Sequence, residues 1–148
     1  VSVVIPTHNR AQTLPRTLES VWAQTHRPIE LILVDDGSTD ATPQAVADWA
    51  AQHEAAPDFV VRSLYQDNAG ANAARNRGIA AAEGAYVGFL DSDDRWQPDK
   101  LAKQLALLHG DARMGDVYCG LTHVDLATGQ PVGEAVLGGR LAICCVSC

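Results

Sequence analysis

Two acidic segments of the sequence are candidates for holding a divalent cation. The letters DSDD stand at residues 91–94 and DDGSTD at residues 35–40, and each segment follows an apolar run. Carboxylates this close repel one another unless a cation lies between them, and oxygen ligands favour magnesium, manganese or calcium over zinc. A calcium hand is disfavoured, because Trp96 stands where that loop needs glycine. A magnesium site commonly combines one or two carboxylates with substrate phosphates, so we expect a metal-bound nucleotide as the ligand.

A third polar segment, PTHNR at residues 6–10, follows the first apolar run and adds an amide and an arginine. It carries neither a Walker lysine nor a G-x-G-x-x-G pattern, which disfavours P-loop and dinucleotide-binding folds. Aspartate, glycine and serine are also ordinary residues of turns and helix starts, so a purely structural role stays open for residues 35–40 and residues 91–94. Within the latter segment, we expect Asp94 to cap the next helix.

The elements that must position these segments alternate between strands and helices along the chain. Nearly continuous apolar runs predict four strands, at residues 1–5, 29–34, 59–65 and 85–90. This alternation predicts an α/β fold with a Rossmann-like, mostly parallel sheet and helices on both faces, in one domain over residues 1–148. Ligands of such sheets bind at the carboxyl ends of the strands, so the polar segments are expected to converge there.

Local signals mark the ends of the predicted helices. Thr42 followed by Pro43 is typical of a helix start with a capping hydroxyl. Gly84 is expected to end the third helix in a left-handed cap. Beyond a fourth helix, residues 117–124 favour a strand and residues 125–132 a hairpin.

Composition excludes several classes of function. The 148 residues are 47% hydrophobic and 20% charged, which is enough for a packed core. The net charge of −7 disfavours nucleic acid as a partner, because a phosphate polymer would meet a repulsive field. No apolar run approaches the roughly 20 residues that span a bilayer, so membrane association is not encoded in this segment. We expect a cytoplasmic protein, at the cytoplasmic face of a membrane in a longer chain.

The four cysteines are Cys119, Cys144, Cys145 and Cys148, and three of them lie within the last five residues. This distribution is not that of a disulfide framework. The C-x-x-C spacing at residues 145–148 lacks a second pair of ligands, so a zinc or redox site is disfavoured. We expect buried or incidental thiols.

Four motifs in sequence order carry a resemblance to a known family. They are VSVVIPTHNR at residues 1–10, ELILVDDGSTD at 30–40, NAG and ARNRG within 68–78, and GAYVGFLDSDD at 84–94. Together they resemble the family 2 glycosyltransferases of the GT-A fold, over residues 1 to about 108. The resemblance implies an inverting enzyme that transfers a sugar from a nucleotide-diphosphate sugar, with UDP-sugars favoured. The acceptor stays open among saccharides, lipid-linked saccharides and proteins.

The resemblance also implies roles for individual residues. Asp36 accepts a hydrogen bond from the base, while Asp93, with Asp91 as a second candidate, binds the Mn²⁺ or Mg²⁺ ion that bridges the donor phosphates. Gly70 lets the backbone approach the nucleotide, and Arg75 contacts the base or phosphate unless it is simply a solvated charge. The implied nucleotide-binding residues are Pro6, Thr7, His8, Arg10, Asp36, Gly70, Arg75, Asp91 and Ser92.

Two departures from the family pattern limit these implications. His8 stands where the family often has tyrosine, so we expect weaker stacking on the base. The general base of inverting members lies well beyond the D-x-D segment, and none of the later acidic residues has the family's acidic motif; these are Asp111, Asp116, Asp125 and Glu134. We therefore assign no catalytic residue and expect the base beyond Cys148, in a longer chain that includes the acceptor-binding region. We expect little or no transfer by this chain alone.

Two other functions stay open. A non-catalytic, glycosyltransferase-like binding or assembly module would use the acidic segments only to cap helices. A phosphatase with a D-x-D-x-Thr/Val segment is disfavoured, because Arg95 stands where the hydroxyl or valine belongs. The phosphatase would release phosphate from small esters, whereas the transferase would bind nucleotide diphosphates and leave esters intact.

Overall fold

The chain forms two compact units in a computed structural model. The first unit consists of Val1–Glu19 and Arg27–Asp93, and the second of Ser20–His26 and Asp94–Cys148. The single domain expected from the sequence stays a prediction. The structure describes residues 1–53, 56–111, 113–117, 119–125, 128, 130–135 and 145–147.

A four-stranded parallel sheet is the frame of the first unit. Its strands are β1 (Ser2–Thr7), β2 (Ile29–Asp36), β3 (Phe59–Gln66) and β4 (Val87–Phe89). They lie in the order β3-β2-β1-β4, and every neighbouring pair is parallel. β1 is buried throughout and β2 almost throughout, because a parallel sheet flanked by helices needs apolar side chains on both faces. The predicted α/β fold with a parallel sheet is confirmed.

Three helices flank this sheet. They are α1 (Leu14–Trp22), α2 (Thr42–His53) and α3 (Ala71–Ala81). α1 and α2 connect strands that progress from β1 towards β3, whereas α3 returns the chain to the other side of β1. Right-handed crossovers that progress in opposite directions place their helices on opposite faces of a sheet.

The face of the sheet under α3 holds a cluster of buried side chains. It consists of Val4, Ile32, Val34 and Ala74, with Leu64, Ala81 and Ala82 packed against it. Val4 pairs with Ile32 in the register, so both side chains point to the same face. A Cβ at Gly78 of α3 would lie only 2.3 Å from Val4 Cγ1. The absence of a side chain at Gly78 therefore lets α3 lie directly on β1.

The strand order reverses at β1, and this reversal marks the edge where a ligand can bind. From β1 the chain proceeds to β2 and β3, whereas β4 lies on the opposite side of β1. The loops after β1 and β4 therefore diverge and leave a crevice at the carboxyl ends of the strands. Residues 6–10 and 91–93 both belong to these strand ends and loops.

The described part of the second unit contains a smaller sheet and the helix α4 (Lys100–Gly110). Its strands are β5 (Asp94–Trp96), β6 (Leu121–Val124), β7 (Pro131–Ala135) and β8 (Cys145–Ser147), in the order β5-β8-β6-β7. β6 and β7 are antiparallel neighbours, as expected for the hairpin at residues 125–132, although β6 is shorter than the strand predicted at 117–124. The expectations for Cys144 and Cys148, and for the side chain of Cys145, fall outside the described residues. No helix within the described part of the chain has the length and apolarity needed to cross a bilayer.

Two predicted helix caps are wrong. Asp94 begins β5, and the N-cap position of α4 is held by Asp99. The hydroxyl of Thr42 does not cap α2, because Asp40 Oδ1 accepts the hydrogen bond from the Thr42 N–H at 2.9 Å. The Thr42 hydroxyl instead accepts a hydrogen bond from the Arg10 N–H at 2.7 Å. Short polar residues near a helix start can exchange these roles.

The prediction of a left-handed cap at Gly84 is also wrong, because its φ is not positive. Glycine is required there by space: a Cβ would lie 2.7 Å from the Ser2 N atom. The Gly84 N–H donates to Ser2 Oγ at 2.8 Å, and Ser2 Oγ donates to Glu30 Oε2 at 2.5 Å. Glu30 also accepts hydrogen bonds from Arg62 Nη1 at 2.7 Å and from the Glu83 N–H at 3.0 Å. This hydrogen-bond network connects the residues that precede β4 to the amino ends of β1 and β2.

The Glu30 network predicts a pH-dependent contribution to stability. Burial would raise the pKa of the Glu30 carboxyl, but hydrogen bonds from Ser2, Glu83 and Arg62 outweigh it and lower that pKa. A carboxylate with a lowered folded pKa stabilises the protein above its unfolded pKa and loses this contribution as the pH falls through the folded value. We predict that Glu30→Gln lowers the free energy of unfolding by about 1.5–3 kcal/mol at pH 7. The difference from wild type should narrow below about pH 4.3, as measured by urea denaturation between pH 7 and pH 3.

Glu83→Gln is the matched control for this prediction. Glu83 lies 3.0 Å from Nη1 of the same Arg62, but its side chain is 82% exposed against 14% for Glu30. Exposed ion pairs contribute little, so this variant should lose less than about 1 kcal/mol. A difference in unfolding free energy between wild type and Glu30→Gln that stays constant from pH 7 to pH 3 would contradict the role of the network.

The close approach of α3 to β1 predicts a cost for any side chain at Gly78. We expect Gly78→Ala to lower the free energy of unfolding by about 1–3 kcal/mol, because the buried Val4 side chain must move. Gly110→Ala is the control, since no atom lies within 4 Å of a Cβ at that helical position. It should be neutral or stabilising by up to about 1 kcal/mol. Equal urea midpoints for the two variants would show that a side chain at position 78 does not destabilise the protein through contact with Val4.

Candidate functional site

A cleft of about 440 Å³ opens at the carboxyl edge of the first unit's sheet. It lies among the ends of β1 and β2, the loop after β4, and α3. Its lining residues are Pro6, Thr7, His8, Asn9, Arg10, Asp36, Ala71, Arg75, Asp91, Ser92 and Asp93. The fold thus brings together all the residues that the family resemblance implies for nucleotide and metal except Gly70. Their roles in binding stay predictions.

Asp36, the last residue of β2, is a buried carboxylate held by three donors. Its exposed fraction is 3%. Oδ1 accepts hydrogen bonds from Gln66 Nε2 at 2.7 Å and the Ala69 N–H at 2.9 Å, and Oδ2 accepts one from the Gly70 N–H at 2.8 Å. Burial would raise the pKa of Asp36, but the hydrogen bonds from Ala69, Gln66 and Gly70 outweigh it and lower the pKa. The side chain is therefore charged at neutral pH.

Asp36 retains capacity for one more hydrogen bond. Each carboxylate oxygen accepts about two, so Oδ1 is filled, and within the described residues only the Gly70 N–H reaches Oδ2. Asp36 lines the cleft, so the open position on Oδ2 is a candidate acceptor for a donor group of a ligand. Gly70 has a φ of +92°, which side chains rarely adopt, and this backbone conformation directs its N–H at Asp36.

The His8 ring is fixed in the cleft wall by its neighbours. Nδ1 lies 2.8 Å from the carbonyl oxygen of Asp36, so we assign the tautomer in which Nδ1–H donates to that oxygen. Nε2 then accepts a hydrogen bond from Asn9 Nδ2 at 3.2 Å. Both ring nitrogens have partners, which fits a polar loop residue better than a catalyst.

Thr7 and Asp35 are register partners at the ends of β1 and β2. Both are buried, and Thr7 Oγ1 and Asp35 Oδ2 have no hydrogen-bond partner among the described residues. Asp35 Oδ1 accepts a hydrogen bond from the Ser38 N–H at 2.9 Å, so Asp35 serves the turn. Thr7, by contrast, lines the cleft. A buried hydroxyl without a partner costs free energy, so the Thr7 hydroxyl is an unmet hydrogen-bonding group beside the cleft among the described residues.

Asn9 connects the two loops that follow β1 and β2. Its φ of +53° lies in the left-handed region, which asparagine tolerates. Asn9 Oδ1 accepts hydrogen bonds from the Thr39 N–H at 2.8 Å and the Asp40 N–H at 3.2 Å. Its own N–H donates to Ser38 Oγ at 2.9 Å. One side chain thus sets the position of one loop against the other.

The sequence did not single out Asn9 as a site residue, nor Gln66, Ala69 and Ala71. Asparagine after a strand signals a turn, but nothing in the sequence identifies the loop that it will bind. Ala69 acts through its backbone N–H, which almost any residue type could supply, so the sequence does not reveal this role. Gln66 ends β3, and only the sheet register places it beside Asp36.

The backbone of the D-x-D segment is anchored to the start of α1. Ser92 is 7% exposed, and its carbonyl oxygen accepts hydrogen bonds from Thr13 Oγ1 and Thr17 Oγ1, both at 3.1 Å. This anchor buries the middle residue of the segment. Asp91 and Asp93 on either side keep side chains that are 53% and 44% exposed and line the cleft.

Each of these two aspartates is paired with an arginine. Arg75 Nη2 lies 2.5 Å from Asp91 Oδ1, and Arg10 Nη2 lies 3.4 Å from Asp93 Oδ2. Both arginines also line the cleft, where their guanidinium groups can donate to phosphate oxygens.

The donor set fits a divalent cation that is shared with a ligand. The described residues include no group of three histidine, cysteine or acidic side chains that could enclose a metal. Asp91 and Asp93 supply hard oxygen donors on the cleft wall, and Mg²⁺ or Mn²⁺ typically adds substrate phosphates and water to one or two such carboxylates. The residues present therefore suit a metal-bound diphosphate better than a metal alone.

Two of the later acidic residues, Asp111 and Asp125, have structural partners in the second unit. Asp111 is paired with Arg113, which lies 2.7 Å from Oδ2, and hydrogen bonds from Arg113 lower the pKa of Asp111. Asp125 Oδ1 accepts hydrogen bonds from the Thr128 N–H and hydroxyl within a turn. These contacts are those of structural surface residues.

Comparison with known proteins places these features in a family. Residues 2–128 match Glycosyl transferase family 2. An uncharacterised glycosyltransferase of Nostoc sp. is 40% identical over 130 residues, which are 88% of this chain and 38% of that protein. The chain therefore spans well under half of this relative.

Two solved structures resemble the chain. The mannosyltransferase PcManGT from Pyrobaculum calidifontis, in complex with GDP-Man and Mn²⁺, aligns with a TM-score of 0.67 and 29% identity, over 83% of this chain and 34% of that one. TarS from S. aureus, in complex with UDP, aligns with a TM-score of 0.64 and 28% identity, over the same shares. Because the family match runs through the whole parallel sheet and on into the second unit, the chain belongs to glycosyl transferase family 2.

Proposed function

We propose that this chain is the donor-binding part of a glycosyltransferase whose cleft binds a nucleotide-diphosphate sugar together with a divalent cation. The observation that carries this proposal is that one cleft contains the buried, charged Asp36, with its open acceptor position, and the exposed carboxylates of Asp91 and Asp93. A base requires the first of these features, and a metal-bound diphosphate requires the second. The UDP complex of TarS and the GDP-Man and Mn²⁺ complex of PcManGT support the proposal.

Uridine is the nucleoside that best fits Asp36. Uracil presents a single imino N–H between two carbonyls, and Oδ2 of Asp36 has one acceptor position left. Guanine presents two parallel N–H groups that would engage both carboxylate oxygens, but Oδ1 already accepts from Gln66 and Ala69. Cytosine and adenine present a lone pair in place of the imino N–H, and this lone pair opposes a carboxylate. Thymidine shares the uracil edge and is the second candidate.

Different polar side chains of the cleft bind different parts of the nucleotide-diphosphate sugar. Asp93 is our first choice of cation ligand, and Asp91 is a second ligand or a partner of the ribose. Arg10 and Arg75 donate to phosphate oxygens. Bound Mn²⁺ or Mg²⁺ supplies positive charge that neutralises the diphosphate as it leaves.

Inverting transfer also needs a carboxylate base for the acceptor hydroxyl. We assign none among the described residues, and the chain spans little more than a third of its relatives. We therefore propose that it transfers little or no sugar without the remainder of the protein.

The proposed site predicts metal-dependent nucleotide binding. We expect UDP to raise the melting temperature in the presence of Mn²⁺ and a chelator to remove the shift. A ligand at 100 times its dissociation constant adds about 2.7 kcal/mol to stability, which a thermal-shift assay detects. Asp93→Ala should abolish the shift, because it removes the first cation ligand. Asp48→Ala, at an exposed position of α2, should keep it.

The outcomes of this assay separate the candidate functions. Equal UDP shifts with Mn²⁺ and with chelator would rule out metal dependence. A folded protein that responds to no nucleoside diphosphate would favour the non-catalytic binding or assembly module.

The hydrogen bond proposed for Asp36 predicts base selectivity. UDP should bind about 10- to 100-fold more tightly than N3-methyl-UDP or CDP, because both lack the imino N–H that a charged acceptor receives. The preference for UDP over N3-methyl-UDP should not change between pH 5 and pH 8, because the lowered pKa keeps Asp36 ionised throughout. Isothermal titration calorimetry with Mn²⁺ present measures the three affinities. Equal affinities for UDP and N3-methyl-UDP would exclude contact between Asp36 and the base.

A further inference from the structure

The two carboxylates of the D-x-D segment have arginine counter-ions that come from different parts of the first unit. Arg10 follows β1 and lies 3.4 Å from Asp93 Oδ2, while Arg75 belongs to α3 and lies 2.5 Å from Asp91 Oδ1. These aspartates are the oxygen donors to which a divalent cation would bind. A cation that enters the cleft therefore competes with two guanidinium groups for the same two carboxylates.

The charges that line the cleft show when this competition is favourable. Three carboxylates, Asp36, Asp91 and Asp93, and two guanidiniums, Arg10 and Arg75, leave a net charge of −1 with His8 neutral. A divalent cation alone turns the net charge positive and leaves both arginines without a carboxylate partner. A nucleotide-diphosphate sugar brings two negative charges, which restore the original balance and give the arginines new acceptors.

Both arginine side chains are free to exchange partners. Their exposed fractions are 46% for Arg10 and 31% for Arg75, and their ion pairs are of the weak, solvent-exposed kind. The backbone of Arg10 is held by the hydrogen bond from its N–H to Thr42 Oγ1, and the backbone of Arg75 belongs to α3, although its Nη1 also donates to Asn72 Oδ1 at 3.1 Å. The side chains can thus turn while their attachment points stay in place.

We propose that Arg10 and Arg75 are exchangeable counter-ions, which neutralise Asp93 and Asp91 when no cation is bound and move to the diphosphate when the cation takes their place. The proposal rests on the donor site proposed above. Binding of the cation and of the nucleotide is then cooperative. The cation replaces the arginines at the two aspartates, and the diphosphate gives the displaced arginines new acceptors. The arginines here act as positioning and binding residues.

Direct measurement of Mn²⁺ binding tests the exchange without any sugar transfer. We would determine the affinity for Mn²⁺ alone, and for UDP with Mn²⁺ present, by electron paramagnetic resonance and calorimetry on wild type, Arg10→Gln and Arg75→Gln. Each substitution should tighten binding of Mn²⁺ alone on the order of two- to fivefold, because one competing cation is lost. The same substitutions should weaken UDP binding at least about fivefold, because the diphosphate loses a charged donor.

Arg77→Gln is the matched control, because Arg77 is an exposed arginine of the same helix and does not line the cleft. It makes the same change in net charge and should alter neither affinity appreciably. Arg10→Lys and Arg75→Lys keep the charge, so they should leave the affinity for Mn²⁺ alone near wild type, and melting curves confirm that all variants fold.

The possible results distinguish this inference from the proposed function. Wild type that binds no UDP with Mn²⁺ overturns the donor site itself. Cooperative binding in wild type, with unchanged or weaker Mn²⁺ affinity in both glutamine variants, overturns only the exchange. An equal gain in Arg77→Gln also overturns it, because the effect would then come from net charge rather than from the two ion pairs.

Discussion

One buried negative charge organises the carboxyl edge of the parallel sheet. Removing the Asp36 carboxylate from water is unfavourable unless donors surround it. Those donors come from the end of β3 and from the two residues that precede α3. The carbonyl oxygen of Asp36 also accepts a hydrogen bond from the His8 ring. These hydrogen bonds bring the end of β3 and the start of α3 together beside the cleft, and among the described residues one acceptor position of the Asp36 carboxylate stays open.

β2 carries a partly or fully buried carboxylate near each end, and together they fix α3. The loop that precedes α3 donates to Asp36, and the Glu83 N–H that follows α3 donates to Glu30. Between these points, Gly78 allows the helix to lie directly against β1. The helix is thus held at both ends and in the middle, and this fixes the position from which Arg75 reaches into the cleft. The pKa values of both carboxyls are lowered for the same reason, because donors outweigh burial.

Much of this arrangement is readable in the sequence, because buried parallel strands are apolar along their whole length and end in polar loops. The strands of the first unit and the convergence of their loops follow from that pattern. The errors concern choices that local propensity does not decide. Asp94 and Asp99 are equally suitable caps by residue type. β5 is a short polar strand whose partner in the described part of the chain is Cys145–Ser147, about 50 residues further on. The role of Asn9 in joining the two loops could not be predicted, because its partners lie 29–31 residues away.

The position of Asn9 also bears on how the cleft wall can change during evolution. Because a single amide binds the loop after β2 while its own backbone belongs to the loop after β1, neither loop can alter its path without disturbing the other. Substitutions that remodel one of them are then epistatic with residues of the second. A chimera that imports only one loop from a relative inherits a mismatched pair. Libraries that aim to remodel the cleft should therefore diversify both segments together, as one inherited module.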